Sequence, residues 1–190
     1  MTKSRPNVLI LLGSPRKKGN SAALAQAIAK GAKAAGAKVE SVYLNGLEIK
    51  PCQACNGCRR KNGKCVVDDG MQSLYPKIES ADAIVYASPV YWFTMSAQLK
   101  AAIDRCYAFG ANEYKALAGK KAAVAMSYGD VDPFSSGCVN ALRAFQDAFN
   151  YVGLNLVGMV YGSGDAAGDI RKNTDLMAEA EALGKKLIEG

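Results

Sequence analysis

Five short runs rich in strand-forming residues, several of them unbroken by polar positions, set the frame for this chain. They are Asn7 to Leu12, Val39 to Leu44, Ala83 to Ala87, Ala122 to Met126 and Leu154 to Tyr161. A strand wet on one face reads apolar, polar, apolar; an unbroken run of strand formers belongs in a sheet covered on both faces, which is the habit of parallel sheets. Ser88-Pro89 stops the third run. Between the runs lie stretches with helical spacing. Ser21 to Ala35 carries Leu24 and Ile28 one turn apart, with Asn20 or Ser21 as its cap. Asp69 to Ser80 opens on an Asp69-x-x-Gln72 capping pattern and holds Pro76 in its middle. Ser96 to Tyr107 sets Leu99, Ile103 and Cys106 on one face and pairs Lys100 with Asp104. Gly137 to Tyr151 turns Leu142, Phe145 and Phe149 inward, and the glycine-rich loop Gly162 to Gly168 leads to a last helix with Leu176, Ala180, Leu183 and Leu187 in step.

Strands alternating with helices predict an α/β, doubly wound parallel sheet. With 190 residues and no linker, repeat or low-complexity tract, the chain reads as one domain, 1–190, large enough to bury a core without disulfides. The five-stranded order 2-1-3-4-5 suits this length. Its winding reverses between strands 1 and 3, so the loops beginning at Gly13 and Ser88 flank the expected ligand crevice.

Composition removes several chemistries. There is no histidine, which excludes Ser-His-Asp and Cys-His nucleophiles, His-ligated haem and His-ligated zinc. No apolar stretch approaches the length of a membrane span. The opening, Met1 to Pro6, is basic and polar, and Val8 to Leu12 is too short for a signal-peptide core, so the expected location is the cytoplasm, with reduced thiols. The net charge of +7 suits anionic ligands or an acidic partner. The basic residues are scattered and not interleaved with aromatics, which argues against nucleic acid.

The loop Gly13-Ser14-Pro15-Arg16-Lys17-Lys18-Gly19-Asn20-Ser21 is neither a Walker A motif nor G-x-G-x-x-G. Its hydroxyls, the Asn20 amide, the free N–H groups of the following helix and Arg16 suit a phosphate monoester; a plain polar loop accounts for Asn20-Ser21 but not for Ser-Pro-Arg. The second loop, Ser88-Pro89-Val90-Tyr91-Trp92-Phe93, sets three aromatics in a row on a Pro-stiffened turn, an apolar wall for a flat ligand or a cover for the sheet end. Phe93 is expected to pack rather than touch ligand.

These two loops, with Gln98-Leu99-Lys100 and Asp104-Arg105, resemble the flavodoxin-like NAD(P)H-dependent FMN reductases over nearly the whole chain. The cysteine segment resembles the iron-sulfur flavoprotein branch. The resemblance implies that Ser14, Arg16, Asn20 and Ser21 hold the FMN phosphate and that Pro89, Val90, Tyr91 and Trp92 line the isoalloxazine ring. Ser127, Tyr128 and Gly129, after the fourth strand, are implied as further flavin contacts. It also implies a homodimer or homotetramer with flavins near subunit interfaces.

Four of six cysteines fall within the loop Asn45 to Asp68, as C-x2-C-x2-C-x6-C: Cys52, Cys55, Cys58 and Cys65. Three thiolates at x2 spacing can wrap one face of a cubane and a fourth can close it, which suits a [4Fe–4S] cluster. A cluster-free thiol patch and a four-cysteine zinc site are the other readings. Cys106 and Cys138 read as small core residues. The reading is an FMN-dependent oxidoreductase taking electrons from NAD(P)H or a ferredoxin and passing them to a small-molecule acceptor. The alternatives are a cluster-free NAD(P)H:FMN or quinone reductase, and a flavodoxin-type carrier, whose usual acidity this chain lacks. Lys17, Lys18, Arg59, Arg60 and Lys61 would steer an anionic donor or simply form a solvated basic face.

Overall fold

In the computed structural model, which describes residues 5–189, the apolar runs form a single parallel sheet. Its strands are β1 (Asn7–Leu12), β2 (Lys38–Tyr43), β3 (Ala83–Tyr91), β5 (Lys121–Tyr128) and β6 (Asn155–Ser163), paired in the order β2-β1-β3-β5-β6. Counting these five alone, this is the expected 2-1-3-4-5 order. The sixth strand, β4 (Thr94–Met95), pairs antiparallel with the end of β3, a two-residue element too short to leave a sequence signal. The first four residues of the basic opening lie outside the described residues.

The unbroken runs are explained by where successive side chains go. Val8 and Ile10 of β1 enter a core with α1 (Asn20–Ala34) and α6 (Thr174–Glu189), while Leu9 and Leu11 enter a core on the opposite face. That second face is covered by α3 (Met71–Ser80), α4 (Ala97–Arg105) and α5 (Cys138–Val152), through Leu74, Leu99, Leu142, Phe145 and Phe149. With both faces dry, a polar alternate has no place. Helices α1 and α6 meet backbone to backbone: a Cβ on Gly31 would lie 1.9 Å from the Glu181 carbonyl oxygen, and one on Gly184 would lie 2.0 Å from that of Ile28.

Three local expectations are corrected. Strand β3 runs through Ser88-Pro89 to Tyr91, because Pro89 sits opposite Ser127 of β5 at the sheet's end, where a missing N–H costs little. Gly19, in extended conformation, stands at the N-cap position of helix α1 and no side chain makes a cap bond there, so neither Asn20 nor Ser21 caps the helix. The Asp69/Gln72 box does not close: Asp69 Oδ1 accepts from Met71 N, while Gln72 Nε2 donates outward to the Cys65 and Val67 carbonyls. Lys100 and Asp104 do pair, at 2.6 Å. No helix among the described residues is long and apolar enough to cross a membrane.

Candidate functional site

The first wall of the crevice is the β1–α1 loop. Gly13 is obligatory there by close approach: a Cβ would lie 2.8 Å from Leu99 Cβ and 2.9 Å from Ser96 Oγ. Ser14 Oγ accepts from the Arg16 N–H at 3.0 Å, which leaves the hydroxyl proton for a ligand. The Tyr43 hydroxyl donates to the Pro15 carbonyl at 2.6 Å, and Lys17 Nζ lies 5.1 Å from the centre of the Tyr43 ring. The loop is thus fastened before any ligand arrives. Beyond it, α1 begins without a capping side chain and without an acidic residue in its first turn. Its leading N–H groups and dipole therefore face the crevice unspent, a ready anion site.

Asn20 plays a different part from the one its amide suggested. Its Nδ2 donates to the carbonyls of Gly164 (2.7 Å) and Ala166 (3.1 Å), and its Oδ1 accepts from the N–H groups of Gly168 and Ile170. Both amide protons are used, so it has none left for a phosphate. Asn20 ties the start of α1 to the loop after β6.

The second wall is the hairpin β3–β4. Val90 pairs with Met95 and Tyr91 with Thr94, leaving Trp92-Phe93 as a two-residue turn. Both turn residues have positive φ, 47° and 62°, where such turns ordinarily take Asn-Gly. Left-handed aromatic residues are strained by about 1–3 kcal/mol each. Trp92 is 92% exposed, so this strain is not offset by burial of the indole within the chain. Phe93 is half exposed, rests against Gly137, and its carbonyl accepts from Asn140.

Buried hydroxyls join the two walls. Ser96, the N-cap of α4, donates its hydroxyl to the Gly13 carbonyl (2.7 Å) and accepts from the Leu99 N–H, while its own N–H donates to Ser88 Oγ (2.9 Å). Ser88 in turn donates to the Pro89 carbonyl. This relay fixes the spacing of the two loops inside the protein, where it is shielded from water.

The third wall is Ser127-Tyr128-Gly129 at the end of β5. Ser14, Arg16, Asn20, Ser21, Pro89, Val90, Tyr91, Ser127, Tyr128 and Gly129 all line one cleft of about 230 Å³, closed by Gly164, Asp165 and Ala167. Trp92 stands outside it. It lines an adjoining hollow with Phe93, Asp130, Ser135 and Ser136 that shares Val90, Tyr128 and Gly129 with the cleft. Asp165 and the loop after β6 gave no sequence signal beyond their glycines.

The cysteine segment sits at the far end of α4. Cys52, Cys55, Cys58 and Cys65 line one recess with Arg105, Tyr107 and Ala108. Its backbone turns sharply at Ala54, Asn56, Asn62 and Gly63, all with positive φ, and Gly57–Arg60 forms the single turn α2. The donor chemistry fits an iron-sulfur cluster, and the four cysteines line one recess; yet among the described residues no three metal-binding side chains converge on a point. Arg59 is committed to structure, donating to the Gly110 carbonyl at 2.7 Å with its guanidinium 5.0 Å from the centre of the Tyr107 ring, and Arg60 donates to the Cys55 carbonyl.

Cys138 is fully buried and Cys106 half-buried. Burial pushes their thiols up to about 11 and about 12 respectively, which keeps both protonated and inert. The residue that sequence reasoning passed over is Arg105. Its side chain is buried, as is that of its partner Asp69, and the two form a bidentate pair. Burial opposes ionisation of Asp69; the Arg105 guanidinium and the N–H groups of Lys50 and Met71 outweigh it and hold the carboxyl below the usual range. A lone arginine at the end of an amphipathic helix carries no signal of such a role.

A flavodoxin-type sheet whose switch-point crevice is floored by an uncapped helix N-terminus and walled by aromatics defines a class: α/β proteins built to hold a phosphorylated flat ligand. The model of a family described as NADPH-dependent FMN reductase matches residues 6–168, and the chain belongs to that family of flavin-dependent oxidoreductases. An iron-sulfur flavoprotein of Archaeoglobus fulgidus is 32% identical over 180 residues, spanning 94% of this chain and 77% of that protein. An iron-sulfur flavoprotein of Methanosarcina thermophila is 42% identical over 93 residues, 49% of this chain and about half (48%) of its own length. Among solved structures, the NAD(P)H:quinone oxidoreductase from Methanothermobacter marburgensis superposes with a TM-score of 0.76 at 23% identity, covering 98% of each chain, which is a likeness of fold.

Proposed function

We propose that this chain is a single-domain, FMN-dependent electron-transfer oxidoreductase. Its electrons come from NAD(P)H or a ferredoxin-type carrier, a [4Fe–4S] cluster sits on Cys52, Cys55, Cys58 and Cys65, and a small molecule is the acceptor. The observation that carries the flavin half is the convergence of three strand ends and one uncapped helix on a single cleft. In this reading Ser14, Ser21, Arg16 and the first N–H groups of α1 hold the phosphate, and Asn20 positions the loop beside them. Pro89, Val90 and Tyr91 with Ser127, Tyr128 and Gly129 flank the ring, and Trp92 overhangs it from the hairpin. FMN bound there supplies both paired and single-electron chemistry. The chain's own part is to bind, orient and shield, which agrees with its lack of histidine.

The exposed Trp92, Phe93, Val131 and Phe134 support assembly as a homodimer or homotetramer, because isolated chains seldom leave such side chains in water together. The net charge of +7 opposes the acidic-carrier reading. A second reading, a cluster-free NAD(P)H:FMN or quinone reductase, draws on one observation: the thiols do not converge on a point among the described residues.

Anaerobic purification with iron, sulfide and flavin measured together separates these readings. The first expects about four irons and four sulfides per flavin and a broad absorbance shoulder bleached by dithionite. Flavin peaks without that shoulder select the second. Protein that stays colourless after incubation with riboflavin 5′-phosphate overturns both. NAD(P)H oxidation by the purified protein then identifies the donor.

A further inference from the structure

We propose that Arg105 is the positioning residue of the cysteine loop: one buried guanidinium clamps both ends of the loop and addresses the Cys65 sulfur directly. At the entry to the loop, Nη1 donates to the Lys50 carbonyl at 2.8 Å. At the exit, Nη2 donates to Cys65 Sγ (3.4 Å), the Val67 carbonyl (3.3 Å) and Asp69 Oδ1 (3.1 Å), and Nη1 also holds Asp69 Oδ2. Asp69 repeats the bracket, since its Oδ2 accepts from the Lys50 N–H at 2.9 Å. Both termini of a loop that has one helical turn and no strand are thus gathered on one fork.

The fork geometry matters. A guanidinium spreads its N–H donors in a plane, and here the two Nη groups alone serve two carbonyls, a carboxylate and a sulfur; an ammonium is a single point. Arg105 Nε is the one buried side-chain nitrogen or oxygen without a hydrogen-bond partner among the described residues. A buried cation with an unspent donor, lining the recess of the four thiols, is an arrangement suited to anionic sulfur.

Helix α4 gives the clamp its reach. Its first end is fixed by Ser96 to Gly13 and Ser88, each next in sequence to a residue of the cleft, and its last residue is Arg105. Nine residue rises separate the two anchors, about 14 Å along the helix axis. A rigid helix thereby sets the offset between the flavin cleft and the thiols, and Arg105 transmits that offset to the loop.

The inference rests on reading the thiols as cluster ligands, and its test separates the two. Arg105→Met alone would leave Asp69 buried and unpaired, so the informative variant is Arg105→Met combined with Asp69→Asn, beside Arg105→Lys. In flavin-loaded, iron-free protein, hydrogen exchange between Lys50 and Val67 is expected to quicken at least about tenfold in the double variant, with β1, β3 and β5 unchanged. After anaerobic reconstitution with iron and sulfide, the double variant is expected to retain less than about half the wild-type iron per flavin, with Arg105→Lys failing to restore it. Unchanged loop exchange, or full iron and sulfide in the double variant, overturns the proposal. Wild-type protein that takes up no iron defeats the cluster reading, and the exchange measurement still decides the clamp.

Discussion

The switch-point cleft and the cysteine loop are both made of loops, but they are held in opposite ways. The cleft stands on the ends of three adjacent parallel strands, and its walls are tied by backbone groups and by two buried serines within that same layer. Topology places it, and each loop needs only a few residues to finish it. The cysteine loop has no strand beneath it, and its ends are fixed by an arginine some forty residues further along. A site of the first kind tolerates loss of any one bond; one of the second kind depends on the Arg105–Asp69 pair.

The largest expected effect breaks the second region and spares the first. Arg105→Met strands a buried carboxylate, and urea unfolding should show a loss of about 3–5 kcal/mol, with FMN still bound by the folded fraction. Loss of flavin with the loop would show the two regions to be one unit. Next in size, Ser14→Ala and Ser21→Ala each remove a hydroxyl that the proposed function assigns to the phosphate. Fluorescence titration should give FMN binding weaker by roughly 10- to 100-fold, with riboflavin binding unaltered; equal losses for both ligands would move the phosphate elsewhere.

The hairpin allows a finer comparison. Replacing Trp92-Phe93 by Asn-Gly puts residues suited to positive φ into the turn and should raise stability by about 1–2 kcal/mol while weakening FMN binding. A stabilised hairpin with unchanged affinity would mean that the strain serves something other than flavin. The smallest effect is one of pH. Because the Asp69 carboxyl is held below the usual range, its contribution is complete above about pH 4 and declines as acid carries the folded protein through the lowered value. Digestion of the cysteine loop by an acid-active protease should therefore accelerate only below that point, and in Asp69→Asn the acceleration should be absent.

Much of this was legible in the residues. The unbroken runs at 7–12, 83–87 and 122–126 specified a two-faced parallel sheet, and Gly13 to Ser21 and Ser88 to Trp92 marked the switch point where the cleft lies. The thiol spacing marked the loop. The misreadings have physical reasons. Pro89 looked like a strand terminator because its missing N–H is costly inside a sheet but not at a strand's last pairs. Asn20 looked like a phosphate donor because an amide at a helix start has two equally good uses, and only the arrival of residues 164 to 170 decides between them.

What the sequence determined by itself, then, is everything that follows from local pattern: strand and helix identity, the layer order, the residue types at each crevice loop, and a thiol set suited to metal. Tertiary structure alone decided which donors remain free, that Trp92 lines an adjoining hollow instead of the cleft, and that Arg105 gathers the ends of the cysteine loop. Those outcomes depend on partners dozens of residues apart, and hydrogen-bond capacity is spent by contacts in space that no local window of sequence can display.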